Sequence, residues 1–321
     1  MNTILRLLAD GGFVSGEAIS AELGITRAAV WKRVRALQEQ GWRIESVPGR
    51  GYRLDAGDRL EPVLWEGLLT TAVLGRGTNL YEETLDSTNL RLKRAAVEGA
   101  PSGSVCLCEC QTAGRGRLGR AWNSPAGRGL WVSVLLRPEL PPAQAPLITL
   151  CTAMAMERAV RELTGLPTAI KWPNDLVCGG KKLCGILLEC SADPDRVEYV
   201  VIGTGLNVHA GAYPPELGDR AAAIDELTDA PLRRVLLTRY LAALEEYTDT
   251  LRREGFGALA EGYRARSCTL GSRVHVTGAV ELTGTAEAID ETGALLVRTD
   301  DGVLHRVLSG DVSVRGVMGY V

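Results

Sequence analysis

The spacing of apolar residues changes twice along this 321-residue chain, and that change constrains the fold more than any other feature. Apolar residues recur at helical spacing up to residue 41. Alternating runs typical of strands then mix with longer helical stretches, and only short alternating runs remain after residue 267. A chain of this length usually needs more than one hydrophobic core. We therefore predict a multidomain α+β fold with domains at residues 1–60, 65–266 and 267–321.

The first of these segments has the pattern of a winged helix-turn-helix. Ser15 and Thr26 are good N-caps for two short helices, and Gly24 and Gly41 are good helix terminators. The segment that follows, "WRIESVPGRGYRL", predicts two strands around a Pro-Gly turn. Two short helices in this order indicate a helix-turn-helix whose second helix is the recognition helix.

Charge favours DNA as the partner of this segment. Residues 1–54 hold eight Lys and Arg against five Asp and Glu, whereas residues 55–321 hold 28 against 34. The alternative is a helical bundle that only caps another domain, but the basic residues fall on the second helix and the wing, where phosphate contacts are expected. The candidate DNA contacts are Arg27, Lys32, Arg33, Arg50 and Arg53.

The middle segment contains a purely cationic strip. "QTAGRGRLGRAW", residues 111–122, has three Arg, three Gly and no acidic residue, although the whole chain carries a net charge of −3. The strip is too short and too rich in Gly for a stable helix, so we expect a loop that meets an anionic ligand. Its spacing is not that of a Walker loop, and a flexible surface loop is the alternative.

Three further stretches of the middle segment concentrate polar residues. "DSTN" at 86–89 begins a predicted helix, where capping alone is the alternative explanation. "KWPND" at 171–175 predicts a turn at Pro173. "GGKKLCGILLE" at 179–189 predicts a Gly-Gly turn followed by a strand, and a lysine beside a strand glycine indicates close approach of a ligand.

These motifs together resemble one family. "DSTN", "GRGRxGRxW", "KWPND", "GxKLxGIL" and "GxGxNV" occur in this order, as in the biotin–protein ligases, and the N-terminal segment is similar to that of their bifunctional bacterial form. The resemblance runs nearly end to end. It implies a winged helix-turn-helix, a central α/β mixed-sheet ligase domain of the class II synthetase type and a small SH3-like C-terminal β-barrel.

The resemblance also implies an activity and its partners. Biotin and ATP would give biotinyl-5′-AMP and pyrophosphate, and the biotin would then pass to one lysine of the biotin carboxyl carrier protein of a carboxylase. The adenylate would also promote a homodimer that binds operator DNA and represses biotin genes. Mg²⁺ is expected with the triphosphate.

The resemblance assigns roles to individual positions. It makes Lys182, Arg115 and Arg117 the catalytic residues, and it places Mg²⁺ near Asp175. The implied biotin contacts are Ser87, Thr88, Asn89, Gln111, Arg115, Gly116, Arg117, Lys182 and Gly185. The implied ATP and adenylate contacts are Arg117, Arg120, Trp122, Asn174 and Asn207. Leu118 departs from the pattern, since some relatives have a further arginine there.

Other functions and locations were weighed against this one. The alternatives are a lipoate–protein ligase-like enzyme, a non-enzymatic ligand-sensing repressor and a ligase whose N-terminal module binds no DNA.

We interpret the eight cysteines as small buried hydrophobic residues rather than a zinc site, because Cys106, Cys108 and Cys110 alternate and lie far from the three histidines. No signal peptide and no apolar run of membrane-spanning length is visible, so we expect a cytoplasmic protein without a membrane partner.

Overall fold

The computed structural model describes residues 2–278, 280–309 and 312–316. The chain divides into two compact units, one ending at Leu69 and the other beginning at Thr70.

The N-terminal unit consists of three helices and a hairpin. Their bounds are α1 Asn2–Leu8, α2 Gly16–Leu23, α3 Arg27–Glu39, β1 Arg43–Val47 and β2 Gly51–Asp55, with β1 and β2 antiparallel. Ser15 Oγ accepts the N–H of Ala18 at 3.0 Å, and Thr26 Oγ1 accepts the N–H of Ala29 at 3.2 Å. Gly24 ends α2 in the left-handed conformation at φ 60°. The predicted helix-turn-helix is therefore confirmed.

The larger unit is organised around a mixed seven-stranded sheet. The strands are β3 Asn79–Leu85, β4 Val105–Gln111, β5 Gly129–Leu136, β6 Thr168–Lys171, β7 Asp175–Cys178, β8 Lys181–Ala192 and β9 Val197–Asn207. Their order is β3-β4-β5-β9-β8-β7-β6, and only the β3–β4 pair among these neighbours is parallel. The helices are α4 Thr88–Val97, α5 Ala145–Thr164, α6 Arg233–Glu254 and α7 Gly257–Arg264. The mixed sheet predicted for the central domain is confirmed.

The C-terminal part of this unit is an antiparallel sheet. Its strands are β10 Arg273–Gly278, β11 Leu282–Ile289, β12 Leu295–Thr299, β13 Leu304–Val307 and β14 Val312–Gly316, in the order β13-β12-β11-β10-β14. The short alternating runs of this segment thus form strands, as their period of two predicts.

The burial of the cysteines agrees only in part with the expectation that they are buried hydrophobic residues. Cys106 and Cys108 are fully buried on β4 and pack with Leu92 and Trp131, and burial raises the pKa of the Cys106 thiol to about 12. Five of the eight cysteines are buried, but Cys190 is exposed, so the interpretation as buried hydrophobic residues fails for it. Cys190 lies near the end of β8, where the neighbouring side chains are exposed or only partly buried.

A buried ion pair joins α6 to the middle of the sheet. Arg233 and Glu109 are 4% and 8% exposed, and Arg233 Nη1 lies 2.7 Å from Glu109 Oε2. The same guanidinium donates to the carbonyl of Gly129 at 3.0 Å. The first turn of α6 is therefore fixed to the end of β4 and the start of β5.

We predict that Arg233→Met lowers the free energy of unfolding by about 3–5 kcal/mol, because it leaves the Glu109 carboxylate buried without this partner. Urea unfolding measures the change. Arg298→Met is the control, since Arg298 pairs with Glu287 on the surface and exposed pairs contribute only about 0–1 kcal/mol. Equal losses in the two variants would contradict the prediction.

Candidate active site

One cavity of about 660 Å³ brings the predicted ligand contacts together. It lies between the start of α4, the cationic strip, the turn from β6 to β7, and the strands β8 and β9. All fourteen residues assigned by resemblance to biotin, ATP or metal line it: Ser87, Thr88, Asn89, Gln111, Arg115, Gly116, Arg117, Arg120, Trp122, Asn174, Asp175, Lys182, Gly185 and Asn207. Motifs that lie far apart in the sequence therefore come together around one cavity.

The start of α4 forms an uncharged polar end of the cavity. The Thr88 N–H and hydroxyl donate to Gln111 Oε1 at 2.9 and 3.1 Å, and Gln111 Nε2 donates to Ser124 Oγ at 2.7 Å. Ser87 is the N-cap residue, but its side chain makes no capping hydrogen bond within the described part of the chain. Capping alone therefore does not account for the polar run.

Ser133 connects this polar end to the sheet, and the motifs did not identify it. Its hydroxyl is fully buried on β5 and lies 2.7 Å from Thr88 Oγ1 and 2.6 Å from Asn89 Oδ1. Asn89 Nδ2 in turn donates to Glu189 Oε2 at 2.8 Å. One signal for Ser133 exists in the sequence, since it is the single polar residue of the apolar strand "GLWVSVLL".

The other end of the cavity is cationic. Lys182 Nζ lies 2.7 Å from Asp175 Oδ1 and 5.2 Å from the centre of the Trp122 ring. Arg117 Nη1 donates to Asn174 Oδ1 at 3.1 Å, and its Nη2 donates to the carbonyl of Ser309 at 3.4 Å. The neighbouring Lys181 instead donates to the carbonyl of Gly218, so Lys182 is the lysine of this motif that faces the cavity.

Lys171 is a second lysine of the cavity that the sequence did not identify. It ends β6, is 6% exposed, and stands opposite Asp175 in the β6–β7 register. Burial lowers the pKa of Lys171 to about 8, and the nearby positive charge of Lys182 also lowers it, although the carboxylate of Asp175 acts in the opposite direction. The pKa of this lysine therefore lies close to physiological pH.

Two glycines allow Trp122 to lie directly on the sheet. Gly185 and Gly205 are paired across β8 and β9. A Cβ atom at Gly185 would lie 2.9 Å from Trp122 Cζ3, and one at Gly205 would lie 2.4 Å from Trp122 Nε1. The group that approaches the strand glycine is thus Trp122, which lines the cavity beside Lys182.

The cationic strip folds into a tight loop. The Gly116 N–H donates to the carbonyl of Arg120 at 2.7 Å, and residues Arg117–Gly119 form a 3₁₀ turn between them. Leu118 has the left-handed backbone conformation at φ 57° and is 58% exposed. A residue with a side chain pays a steric penalty there, so the departure at Leu118 falls on the most strained position of the loop.

Comparison with known proteins agrees with this geometry. Residues 81–207 match the model of the Biotin/lipoate A/B protein ligase family, residues 1–53 match an HTH domain, and residues 269–315 match the Biotin protein ligase C terminal domain. The Bifunctional ligase/repressor BirA of Bacillus subtilis is 34% identical over 97% of this chain and 97% of its own length. The chain belongs to the biotin protein ligase family. The resemblance seen in the five motifs is confirmed.

Other members of the biotin protein ligase family extend the comparison. The Bifunctional ligase/repressor BirA of Escherichia coli is 31% identical over 97% of this chain and 96% of its own length. The structure of the biotin protein ligase from Aquifex aeolicus in complex with biotin and ATP has a TM-score of 0.66 and 31% identity. The match covers 74% of this chain and 99% of the Aquifex aeolicus chain.

The predicted DNA contacts of this ligase family member lie on the surface of α3 and the hairpin. Arg27, Lys32 and Arg33 are exposed on α3. Arg50 lies over the ring of Phe13 at 4.0 Å, in the turn between β1 and β2. Arg53 lies over the same ring at 4.9 Å, and its charge is paired with Glu45 at 2.5 Å. The charge of Arg53 is therefore already compensated by a carboxylate of the same hairpin.

Metal binding at Asp175 was tested against the donors present. Within the described residues, no group of three His, Cys, Asp or Glu side chains is placed to hold a metal ion. Mg²⁺ commonly takes one or two protein carboxylates and completes its shell with water and substrate phosphates. A single carboxylate in a cavity is compatible with that mode, although the Asp175 carboxylate would then contact both the ion and Lys182.

Of the helices in the described residues, none is long and apolar enough to cross a membrane.

We predict that Gly205→Ala lowers the free energy of unfolding by about 1–3 kcal/mol, because the added methyl group overlaps Trp122 and forces the ring to move. In a Trp122→Ala background the same substitution should have little effect, and denaturant unfolding of the four proteins measures the difference. Gly257→Ala is the control, since nothing lies within 4 Å of a Cβ atom there. An equal effect of Gly205→Ala in both backgrounds would show that Trp122 is not the obstacle.

Proposed function

We propose that this chain is an ATP-dependent biotin–protein ligase. It forms biotinyl-5′-AMP from biotin and ATP and then transfers biotin to one lysine of a biotin carboxyl carrier protein. One observation carries the proposal: a single cavity joins the uncharged donors and acceptors around Thr88 and Gln111 to a cationic end at Arg117 and Lys182. Biotin has the same two ends, because its ureido ring is neutral and its carboxylate is charged.

The first step brings two anions together. A carboxylate oxygen of biotin attacks the α-phosphorus of ATP, the bond between the α-phosphorus and the bridging oxygen breaks, and pyrophosphate leaves with the electron pair. Lys182, Arg115 and Arg117 are the catalytic residues of the proposal, since fixed cations offset the repulsion and stabilise charge on the phosphoryl oxygens. In the second step the amine of the carrier lysine attacks the acyl carbon and AMP leaves.

The residues that line the cavity also position the two substrates. Biotin is contacted by Ser87, Thr88, Asn89, Gln111, Arg115, Gly116, Arg117, Lys182 and Gly185. The nucleotide is contacted by Arg117, Arg120, Trp122, Asn174 and Asn207, with the Trp122 ring against the adenine. Asp175 would hold Mg²⁺ together with the phosphates, and the ion would supply positive charge that offsets the charge of the triphosphate.

Transfer of labelled biotin to a carrier domain tests the ligase. With ATP and Mg²⁺ the wild-type chain should label one lysine of the carrier, and lipoate should not replace biotin. Labelling with lipoate alone would favour the lipoate ligase alternative, in which the dithiolane has no use for the polar groups around Thr88. Failure with both acids would leave a non-enzymatic ligand-sensing repressor.

We predict that Lys182→Ala slows single-turnover formation of the adenylate about 10²–10³-fold, the loss typical of one preorganised donor at a developing charge. Quenched-flow measurement of labelled adenylate gives the rate. Lys181→Ala is the control and should keep the wild-type rate, because Lys181 contacts the carbonyl of Gly218 outside the cavity. The opposite pattern would move the catalytic role to Lys181.

We predict that the apparent affinity for ATP falls as pH rises through about 8, because Lys171 then loses its proton and with it the positive charge that faces the phosphates. The sign follows from a lowered pKa, since the lysine is charged below that pH and neutral above it. The KM for ATP at pH values on both sides measures the effect. Lys171→Arg keeps the charge and should remove this part of the dependence, whereas an unaltered profile in that variant would assign it to another group.

The N-terminal unit adds a repressor function to the proposal. The proposed domains are a winged helix-turn-helix at 1–60, a class II synthetase-like ligase domain at 65–266 and an SH3-like barrel at 267–321. The hairpin of β1 and β2 after α3 supports the wing. Operator DNA is contacted by Arg27, Lys32, Arg33, Arg50 and Arg53. A single helix-turn-helix reads one half-site, so the binding form is a homodimer on paired half-sites.

We predict that biotin with ATP shifts this protein from monomer to dimer and strengthens its binding to operator DNA. By linkage, the adenylate does this only if it binds the dimer-competent state more tightly. Sedimentation with and without both substrates measures the mass, and carrier protein should compete for the same monomers. An unchanged mass at micromolar protein, together with ligand-independent DNA binding, would remove the regulated repressor function. Absence of DNA binding would leave the ligase alone.

A further inference from the structure

An exposed tryptophan on α3 has no role in the core or in the cavity. Trp31 is 54% exposed, and it is the one tryptophan among the exposed large apolar side chains of the described residues. The buried side chains of α3 are Val30, Val34 and Leu37, which form a different face of the helix. An exposed indole of this size can gain free energy by burial against a partner molecule.

The surroundings of Trp31 are cationic. Arg27 and Arg35 lie one helical turn before and after it on the same row, where side chains spaced by four residues meet. The Arg35 guanidinium lies over the indole, 5.5 Å from the ring centre. Lys32 and Arg33 follow directly and are exposed. An apolar ring framed by positive charges fits a polyanion that also presents apolar groups.

The position along the helix narrows the partner further. Thr26 caps α3, so Trp31 lies in its second turn. In a helix-turn-helix the N-terminal residues of the second helix contact base edges, while lysines and arginines around them contact phosphates. The apolar feature of a base edge in the major groove is the C5-methyl group of thymine.

We infer that Trp31 is a specificity residue that packs against a thymine methyl group in the major groove of the operator. The inference rests on the proposed DNA binding and adds the base chemistry that α3 recognises. Arg27, Lys32 and Arg33 supply affinity for the backbone, and Trp31 supplies preference for an A·T pair at one position of each half-site.

The experiment uses duplexes that the full-length wild-type protein selects from a random library in the presence of biotin and ATP. Each thymine of the selected duplex is then replaced by uracil, which removes the methyl group and keeps the pairing. Wild type, Trp31→Ala and Lys32→Ala are compared for binding to the selected duplex, its uracil versions and a scrambled duplex, over a range of salt concentrations. Far-UV circular dichroism checks that the N-terminal unit of each variant is folded, and biotin transfer to the carrier domain checks the larger unit.

In each half-site, uracil at one particular position should weaken wild-type binding about fourfold, which is the contribution of one methyl group. The same replacement should not weaken binding by Trp31→Ala. Trp31→Ala should lose affinity for the selected duplex but not for the scrambled one, with an unchanged salt slope. Lys32→Ala should weaken both duplexes alike and reduce the slope by about one.

Three results would overturn the inference. The first is that Trp31→Ala loses affinity equally for the selected and the scrambled duplex. The second is that every uracil effect persists in Trp31→Ala. The third is that sedimentation shows that the variant no longer forms the dimer, which would make Trp31 a contact between two copies. If the wild type selects no sequence at all, the proposed repressor function fails, and this inference fails with it. If the wild type selects a sequence that Trp31→Ala binds equally well, only the inference fails.

Discussion

Three strand positions without side chains determine the shape of the cavity. Gly185 and Gly205 face each other across β8 and β9, and Gly203 lies two residues before Gly205 on the same face. A Cβ atom at Gly203 would lie 2.4 Å from Asn89 Oδ1, as close as one at Gly205 to Trp122 Nε1. The start of α4 and the ring of Trp122 therefore rest directly on the backbone of β9. Because one strand supports both, the distance between the polar and the cationic end is fixed by the sheet.

Charge is distributed unevenly over these two ends. The polar end holds the buried hydroxyls and amides around Ser133, whereas Lys171, Lys182 and Arg117 converge at the other end with Asp175. Burial is the main cause of the lowered pKa of Lys171, the charge of Lys182 adds to it, and the carboxylate of Asp175 opposes it. An anionic ligand at this end would favour the charged form of Lys171. Binding of such a ligand and protonation of Lys171 would then be linked, because each favours the other.

Much of the fold and the cavity could be predicted from the sequence, because local signals and the order of motifs carry that information. The caps Ser15 and Thr26 determine where α2 and α3 begin, and each residue predicted to contact a ligand lies in or beside a short motif. Long-range partners could not be predicted. Ser133 meets Thr88 across 45 residues and Arg233 meets Glu109 across 124. These pairs depend on β5 lying between β4 and β9, and no local spacing encodes that order.

The C-terminal sheet takes part in the cavity through the same loop that carries Arg115 and Arg117. Arg117 donates to Asn174 in the β6–β7 turn and to the carbonyl of Ser309 beyond β13, and Arg315 on β14 also lines the cavity. A ligand phosphate that draws the Arg117 guanidinium to itself competes with both contacts. Binding at the loop and the position of the C-terminal segment are then linked, since each alters the free energy of the other by the same amount.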